Sequence, residues 1–165
     1  MGTLLQRLSI EADGRYFTPE ERHRILSEAE SLPRRLAAAE NLERIEEAAL
    51  RSVIEEMQGR YPNFARYHDQ AWARQFRDMQ LVLRAAASAM ILDDPAEMDD
   101  RLLYWLRTMF AANNYTPDFV RDCFSRLRDV VRERLESPSA DRLTPYLDRA
   151  VRVLADFPEP ATAAV

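Results

Sequence analysis

Four polar residues on the flank of an apolar helical stripe have types and spacing that could do chemistry. They lie beside two aromatic residues and are Arg74, Gln75, Arg77 and Asp78. Gln75 and Asp78 are three residues apart, and Arg74 and Asp78 are four apart, so helical geometry puts each pair on one face. A half-buried carboxylate beside arginines suits a planar ligand, because the acid accepts from ring N–H groups and guanidiniums bind pendant carboxylates. The alternative, which spacing alone favours, is an ordinary surface ion pair.

Other residues with chemical potential have simpler interpretations. Cys123 lies on an apolar stripe with no histidine nearby in sequence, so we expect a buried thiol rather than a nucleophile. His23 and His68 are expected at the surface, and no histidine follows to serve as a proximal iron ligand, so we expect no heme. The pairs Asp93-Asp94 and Asp99-Asp100 lack calcium-loop spacing and are interpreted as helix caps and first-turn acids. We therefore expect no metal site and no catalytic activity.

The composition bounds the class of protein. The chain has 165 residues, of which 47% are hydrophobic, and its 23 basic residues, all arginine, are outnumbered by 28 acidic ones. This composition predicts one helical domain with one core. The net charge of −5, with mixed signs, disfavours a nucleic-acid partner. Because there is one cysteine, no secretion signal and no apolar run of about 18 residues, we expect a cytoplasmic protein without a membrane span.

Proline and its neighbours mark the helix starts. Thr18-Pro19-Glu20-Glu21 is a capping box, and Asp94-Pro95-Ala96-Glu97 and Thr116-Pro117-Asp118 are two further starts. The first of these helices is expected to end near Ser31. Softer breaks or starts are expected at four other prolines: Pro33, Pro62, Pro138 and Pro145.

Apolar spacing between these marks predicts about eight helices. The longest and most buried is expected over about 63–92, with others over 34–57, 118–135 and 146–154. We predict a single all-α domain over 1–165. Its parts are N-terminal dimerisation helices at 1–32, a core at 33–157 and a flexible tail at 158–165.

Three separated segments carry family-like motifs. They are Ala-Asp-Gly-Arg-Tyr-Phe-Thr at 12–18, Gln-Phe-Arg-Asp-Met at 75–79, and Asp-Asp-Pro at 93–95 followed by Met-Asp-Asp-Arg at 98–101. Together they resemble the phycobiliprotein (phycobilisome) family, whose members are globin-like and hold linear tetrapyrroles. The second segment looks like that family's Cys-Leu-Arg-Asp-Met chromophore motif. The resemblance implies a globin-like fold with a two-helix N-terminal extension.

The resemblance also implies site residues. The family's bilin-attaching cysteine falls on Gln75, so a thioether at the usual place is impossible. Arg77 and Asp78 match the residues that hold a propionate and the inner pyrrole nitrogens. An upstream arginine pair is missing, and Arg74 is the expected substitute. Phe110 stands where the family has a pocket tyrosine. These correspondences imply a noncovalent bilin, biliverdin or phycocyanobilin.

The N-terminal helices of the family cover the neighbouring subunit. Asp13 and Tyr16 match the hook of that interface, and Arg101 matches its charged acceptor. Two short helices are not stable alone, so they need a surface to pack on. We therefore expect a homodimer; packing of these helices on their own domain is the alternative.

Because it lacks the family's bilin-attaching cysteine, the chain resembles the bilin-biosynthesis-associated globins. This implies a non-catalytic protein that binds a bilin or supports bilin synthesis, with bilin-biosynthesis enzymes as partners. The alternative is a globin-like dimeric interaction module without a ligand, whose pocket has collapsed around Trp72, Phe76 and Phe110. A bilin-modifying enzyme is the weakest hypothesis, because no suitable proton donor stands out.

Overall fold

The computed structural model describes residues 4–160, without the side chains of Arg66 and Tyr67. This part of the chain is all-α, as predicted, and contains no strand. Its helices are α1 (Leu4–Glu11), α2 (Pro19–Arg60), α3 (Ala71–Leu92), α4 (Pro95–Met98), α5 (Tyr104–Ala112), α6 (Pro117–Arg134) and α7 (Ser137–Leu154). A 3-10 turn (Phe64–Tyr67) precedes α3, and a π-helical segment (Asp99–Leu103) joins α4 to α5. The flexible tail predicted at 158–165 falls mostly on 161–165, which lie outside the described residues.

The three predicted helix starts are confirmed. At α2 the Glu21 backbone N–H donates to Thr18 Oγ1 at 3.2 Å, and the Thr18 N–H donates to Glu21 Oε2 at 2.8 Å, which completes the capping box. The Thr116 hydroxyl caps α6, and the Asp94 carboxylate caps α4 by accepting from Ala96 N–H at 3.1 Å. Proline follows each cap at the first helical position, where its missing N–H removes no helical hydrogen bond.

Two predicted breaks do not occur. The helix expected to end near Ser31 continues through Pro33, so α2 has 42 residues and is longer than α3, which has 22. The boundary that we predicted between residues 32 and 33 therefore lies inside a continuous helix. Pro145 likewise lies inside α7. An interior proline costs about 3 kcal/mol, and apolar burial along the same helix offsets that cost.

One core is formed where α2, α3, α6 and α7 pack against one another. Its largest fully buried side chains include Leu50, Met57, Met79, Leu83, Phe119 and Leu127. Cys123 is part of this core, as predicted, and burial raises the pKa of its thiol, so it is not a reactive thiolate. Phe157, the last residue of the predicted core segment, packs against this core.

The N-terminal arm, defined here as residues 4–34, is largely exposed. Leu8 of α1 is only 1% exposed, but Ile10 is 75% exposed and Tyr16 is 95% exposed. Before Pro33 the sole buried residue of α2 within the described chain is Glu21, whereas buried residues recur after it. The arm is therefore joined covalently to the core through α2 but shares little of the core's packing.

Candidate functional site

A cavity of about 240 Å³ lies between α3, α5 and the turn before α6. Its lining consists of Arg74, Arg77, Asp78, Trp105, Leu106, Met109, Phe110, Asn113 and Tyr115. The structure thus brings three of the predicted binding residues together at one cavity. They lie there because positions 74, 77 and 78 share one face of α3, and α5 supplies the opposite wall.

Asp78 is the carboxylate of this cavity. Its side chain is 13% exposed, and its Oδ1 lies 3.6 Å from an Arg77 guanidinium nitrogen. The ion pair therefore joins Asp78 to Arg77, whereas the helical spacing had suggested a pair with Arg74. Desolvation raises the pKa of Asp78, and the positive charges of Arg77 and Arg74 partly offset that rise. The Asp78 carboxylate is therefore a partly desolvated hydrogen-bond acceptor whose ion pair, at 3.6 Å from Arg77, is weak.

The two arginines are open to solvent. The Arg77 side chain is 67% exposed, and Arg74 is also exposed and forms no ion pair within the described part of the chain. Arg74 can therefore bind a carboxylate in a forked geometry without breaking an internal salt bridge, and Arg77 would give up only its 3.6 Å contact with Asp78.

Tyr115 is a cavity residue that the sequence analysis missed. Its ring stacks on Phe110 at a centroid distance of 5.1 Å and an interplanar angle of 14°. Burial, and secondarily the Asp78 carboxylate, raises the pKa of Tyr115 to about 12, so its hydroxyl keeps its proton at neutral pH. Phe110 lines the cavity as an aromatic without a hydroxyl, and Tyr115 supplies one beside it.

Exposed apolar side chains continue the wall of the cavity. Trp105 is 55% exposed and Met109 is 40% exposed, and both belong to the lining on α5. Trp72 and Phe76, two of the aromatics around which the alternative hypothesis placed a collapsed pocket, are half-buried and pack against the core. Trp72 contacts Phe64 in an edge-on arrangement at 4.6 Å. The cavity wall is therefore made by α5 rather than by the aromatics of α3.

Gln75, the fourth predicted binding residue, lies in the core and is not part of the lining. It is 1% exposed, and neither Oε1 nor Nε2 has a hydrogen-bond partner among the described residues. A buried amide without partners costs about 1 to 3 kcal/mol. The resemblance placed the family's attaching cysteine at this position, and the structure places it behind the cavity wall rather than in it.

The predicted interface residues lie on exposed parts of the chain. Asp13 and Tyr16 are exposed on the turn after α1, where Gly14 has a φ of +76°, a left-handed conformation that favours glycine. Arg101 is exposed in the π-helical segment and donates to Glu97 Oε1 at 2.7 Å. No hydrogen bond or ion pair joins Arg101 to the turn within the described residues.

The acidic pairs have partly different roles from those predicted. Asp94 is a cap, but Asp99 is 2% exposed and accepts from Arg149 Nε at 2.8 Å. This buried ion pair ties the π-helical segment to α7 and thereby fixes the start of α5, which lines the cavity. π-helical segments often occur at functional sites. His23 and His68 are exposed, as predicted.

None of the helices in the described chain is long and apolar enough to cross a membrane.

Comparison with protein families gives a match. The family model described as Phycobilisome protein matches residues 8–154, which is most of the chain. No curated protein matches. The matched region includes the turn after α1, all of the cavity lining, and α7 almost to its end. The predicted resemblance and globin-like fold are thus confirmed, and the chain belongs to the phycobilisome protein family.

Proposed function

We propose that this phycobiliprotein-like globin binds a linear tetrapyrrole noncovalently at the cavity between α3 and α5 and does no catalysis of its own. The observation that carries the proposal is the partly desolvated Asp78 carboxylate between two solvent-exposed arginines, at a cavity with aromatic walls. The same protein would serve bilin biosynthesis by holding the pigment, with the enzymes of that synthesis as partners.

The residues fit such a group. A bound bilin would supply pyrrole N–H donors, two propionates and an extended conjugated chain. Asp78 accepts hydrogen bonds from N–H groups, and Arg74 and Arg77 bind carboxylates. The Tyr115 hydroxyl, protonated at neutral pH, donates to a carbonyl oxygen.

The size of the cavity limits how a pigment sits. About 240 Å³ is below the range of about 300 to 1,000 Å³ that is usual for pockets holding whole small molecules. Only part of a tetrapyrrole fits inside, so the remaining rings would lie on the exposed Trp105 and Met109 side chains. Such a half-open site suits a protein that holds a pigment and passes it on.

Titration with biliverdin and with phycocyanobilin tests the proposal. Each pigment should gain a sharper, shifted red absorbance band in the presence of the protein. Asp78→Asn should weaken binding at least tenfold, because the amide cannot replace an ionised acceptor for the ring N–H groups. Asp148→Asn, which removes an exposed carboxylate of α7, is the matched control and should bind like the wild type.

An unchanged pigment spectrum at tens of micromolar protein would contradict the proposal. That result would favour the alternative, a dimeric interaction module without a ligand. The exposed Ile10 and Tyr16 of the N-terminal arm are the observation that favours that alternative, because large apolar side chains at such exposure are suited to a protein partner.

We also propose that the protein is a homodimer in which the N-terminal arm covers the partner. The arm exposes apolar side chains of both α1 and α2, including Leu5, Ile10, Leu26 and Leu32. Burying them on a second copy would remove apolar surface from water without disturbing the core.

A further inference from the structure

A second cavity lies on the other side of α3, against α7. It has a volume of about 520 Å³ and is bounded by α7, the end of α3 and Arg35 of α2. Its lining shares no residue with the cavity that contains Asp78. Its polar wall is formed by Arg35, Asp93, Arg142, Tyr146, Arg149 and Arg152. The volume falls within the range of about 300 to 1,000 Å³ typical of small-molecule sites.

Three arginines of this wall form a stripe on one face of α7. Arg142, Arg149 and Arg152 are spaced by seven and three residues, which are spacings that return to the same face of a helix. The lining carries four arginines and two aspartates, Asp93 and Asp141. Two of the arginines are paired with carboxylates outside the lining, Arg149 with Asp99 and Arg35 with Glu28.

The three arginines of α7 differ in whether they already have a hydrogen-bond or ion-pair partner. Arg149 is paired with the buried Asp99 carboxylate, so its position is fixed. Arg142 and Arg152 have neither an ion-pair nor a hydrogen-bond partner among the residues that the structure describes. Of the two aspartates, Asp93 is engaged by the Tyr146 hydroxyl, which donates to it at 3.2 Å. Two guanidiniums of the wall thus remain available for a ligand.

Arg35 closes the cavity from the opposite side. It is 6% exposed, and its Nη1 donates to the Ile91 carbonyl at 2.7 Å. Its Nη2 donates to Ser31 Oγ at 2.8 Å and also contacts Glu28. Its Nε has no acceptor within the described chain. A buried guanidinium that keeps one N–H unpaired at a cavity wall indicates a place where an acceptor is missing.

We propose that this cavity is a binding site for a small dianion, a phosphate or a dicarboxylate. Arg142 and Arg152 bind its charged groups, since guanidinium forks match the oxygens of either anion. Arg149 and Arg35, held in place by Asp99 and Glu28, line the site beside them. The walls between the arginines are partly apolar, formed by Met90, Pro145 and the Tyr146 ring, so the ligand carries a small organic body between or beside its charges.

Isothermal titration calorimetry at low salt tests the site, with inorganic phosphate and succinate at pH 8 as separate probes. Chloride at matched ionic strength corrects for screening. We expect saturable one-to-one binding of at least one probe. The probe that binds more tightly identifies whether phosphate or carboxylate chemistry is preferred.

Two double variants make the test specific. Arg142→Gln with Arg152→Gln should weaken binding at least tenfold. Arg132→Gln with Arg134→Gln removes the same charge from exposed positions of α6 and should bind like the wild type. Circular dichroism confirms that both variants fold. Failure of both probes to bind at millimolar concentration, or equal weakening in the two double variants, would overturn the proposal.

The outcome does not depend on pigment binding, because the two cavities have no residue in common. Asp78→Asn should leave the affinity for phosphate or succinate unchanged. If the protein binds phosphate or succinate but no bilin, the proposed function is wrong and this site is supported. If it binds a bilin but neither anion, the proposed function is supported and this site is wrong.

Discussion

At the scale of single residues, the clearest feature of the binding region is that polar groups are buried without adequate partners. Gln75 has both amide atoms unpaired in the core, and Asp78 is partly desolvated with only a 3.6 Å contact to Arg77. Proteins rarely leave buried polar groups unsatisfied, because each one destabilises the native state. We therefore expect this short stretch of α3 to lower the stability of the ligand-free fold.

Gln75→Met should raise the free energy of unfolding of the ligand-free protein by about 1 to 3 kcal/mol, because methionine has a similar shape and removes the unpaired amide. Urea unfolding followed by circular dichroism measures the change. Gln80→Met is the control. It removes an amide that donates to Glu46 Oε1 at 2.7 Å, so it should not stabilise. A loss of stability in Gln75→Met would contradict the unsatisfied core amide.

Asp78 should make the ligand-free protein less stable as the pH rises. Burial raises its folded-state pKa above the unfolded value of 3.8, so the folded state binds the proton more tightly. The favourable contribution is present below pH 3.8 and is lost as the pH rises through the folded pKa. Asp78→Asn should therefore raise the urea midpoint at pH 7 but not at pH 3, relative to Asp148→Asn. A lower midpoint at pH 7 would show that the carboxylate is stabilising.

At the same scale, the three charged cavity residues and Phe110 were predicted from the sequence, whereas Tyr115 and most of the α5 wall were missed. Arg74, Arg77 and Asp78 follow from helical spacing, which is a local property. Tyr115 is distant in sequence from α3 and reaches the cavity through the turn before α6, which spacing within one helix cannot reveal. The ion pair of Asp78 with Arg77 rather than Arg74 was equally beyond prediction, because side-chain rotamers decide it.

At the scale of secondary-structure elements, the helix starts could be predicted and the helix ends could not. A capping box places its hydrogen bonds within four residues, so Thr18 and Glu21 identified the start of α2 from sequence alone. Whether a proline ends a helix depends on what the following turns bury. Beyond Pro33, Ala38 and Leu42 are packed in the core, which keeps the helix continuous.

Glu21 should titrate far below an ordinary glutamate. The Arg15 guanidinium, and next the Thr18 backbone N–H, lowers the pKa of Glu21 from 4.5 to about 2. Its stabilising contribution is therefore present above pH 4.5 and is lost as the pH falls towards 2. Nuclear magnetic resonance of the side-chain carboxyl carbon should give a midpoint near 2.

Glu21→Gln extends the same test to the arm. At pH 7 it should speed hydrogen exchange in residues 4–34, while exchange in the core helices stays unchanged. Glu20→Gln, which changes an exposed neighbour outside the capping pair, is the control. A carboxyl midpoint near 4.5 for Glu21 would contradict the paired arrangement.

At the scale of the whole molecule, the all-α fold was predictable because composition, caps and apolar periodicity all agree. The match over residues 8–154 then assigns the family. The cavity against α7 was not foreseen, because its walls come from α2, α3 and α7, which only the tertiary structure brings together.

Asp13→Ala and Tyr16→Ala should each shift the protein from dimer towards monomer in sedimentation velocity. Tyr16 is 95% exposed in a single copy, so its removal should not lower the stability of the fold. Glu30→Ala, another exposed residue of the arm, is the control and should remain dimeric. A wild-type protein that sediments as a monomer at micromolar concentration would refute the proposed dimer.

The uninterrupted length of α2 has a consequence for the dimensions of the particle in solution. Its 42 residues span about 63 Å along the helix axis. A compact chain of this size has a diameter of about 40 Å. Even one copy is therefore elongated, and its small-angle X-ray scattering should give an interatomic distance distribution with a tail beyond the width of a sphere. Any partner that reaches the cavity between α3 and α5 must therefore approach an elongated particle rather than a sphere.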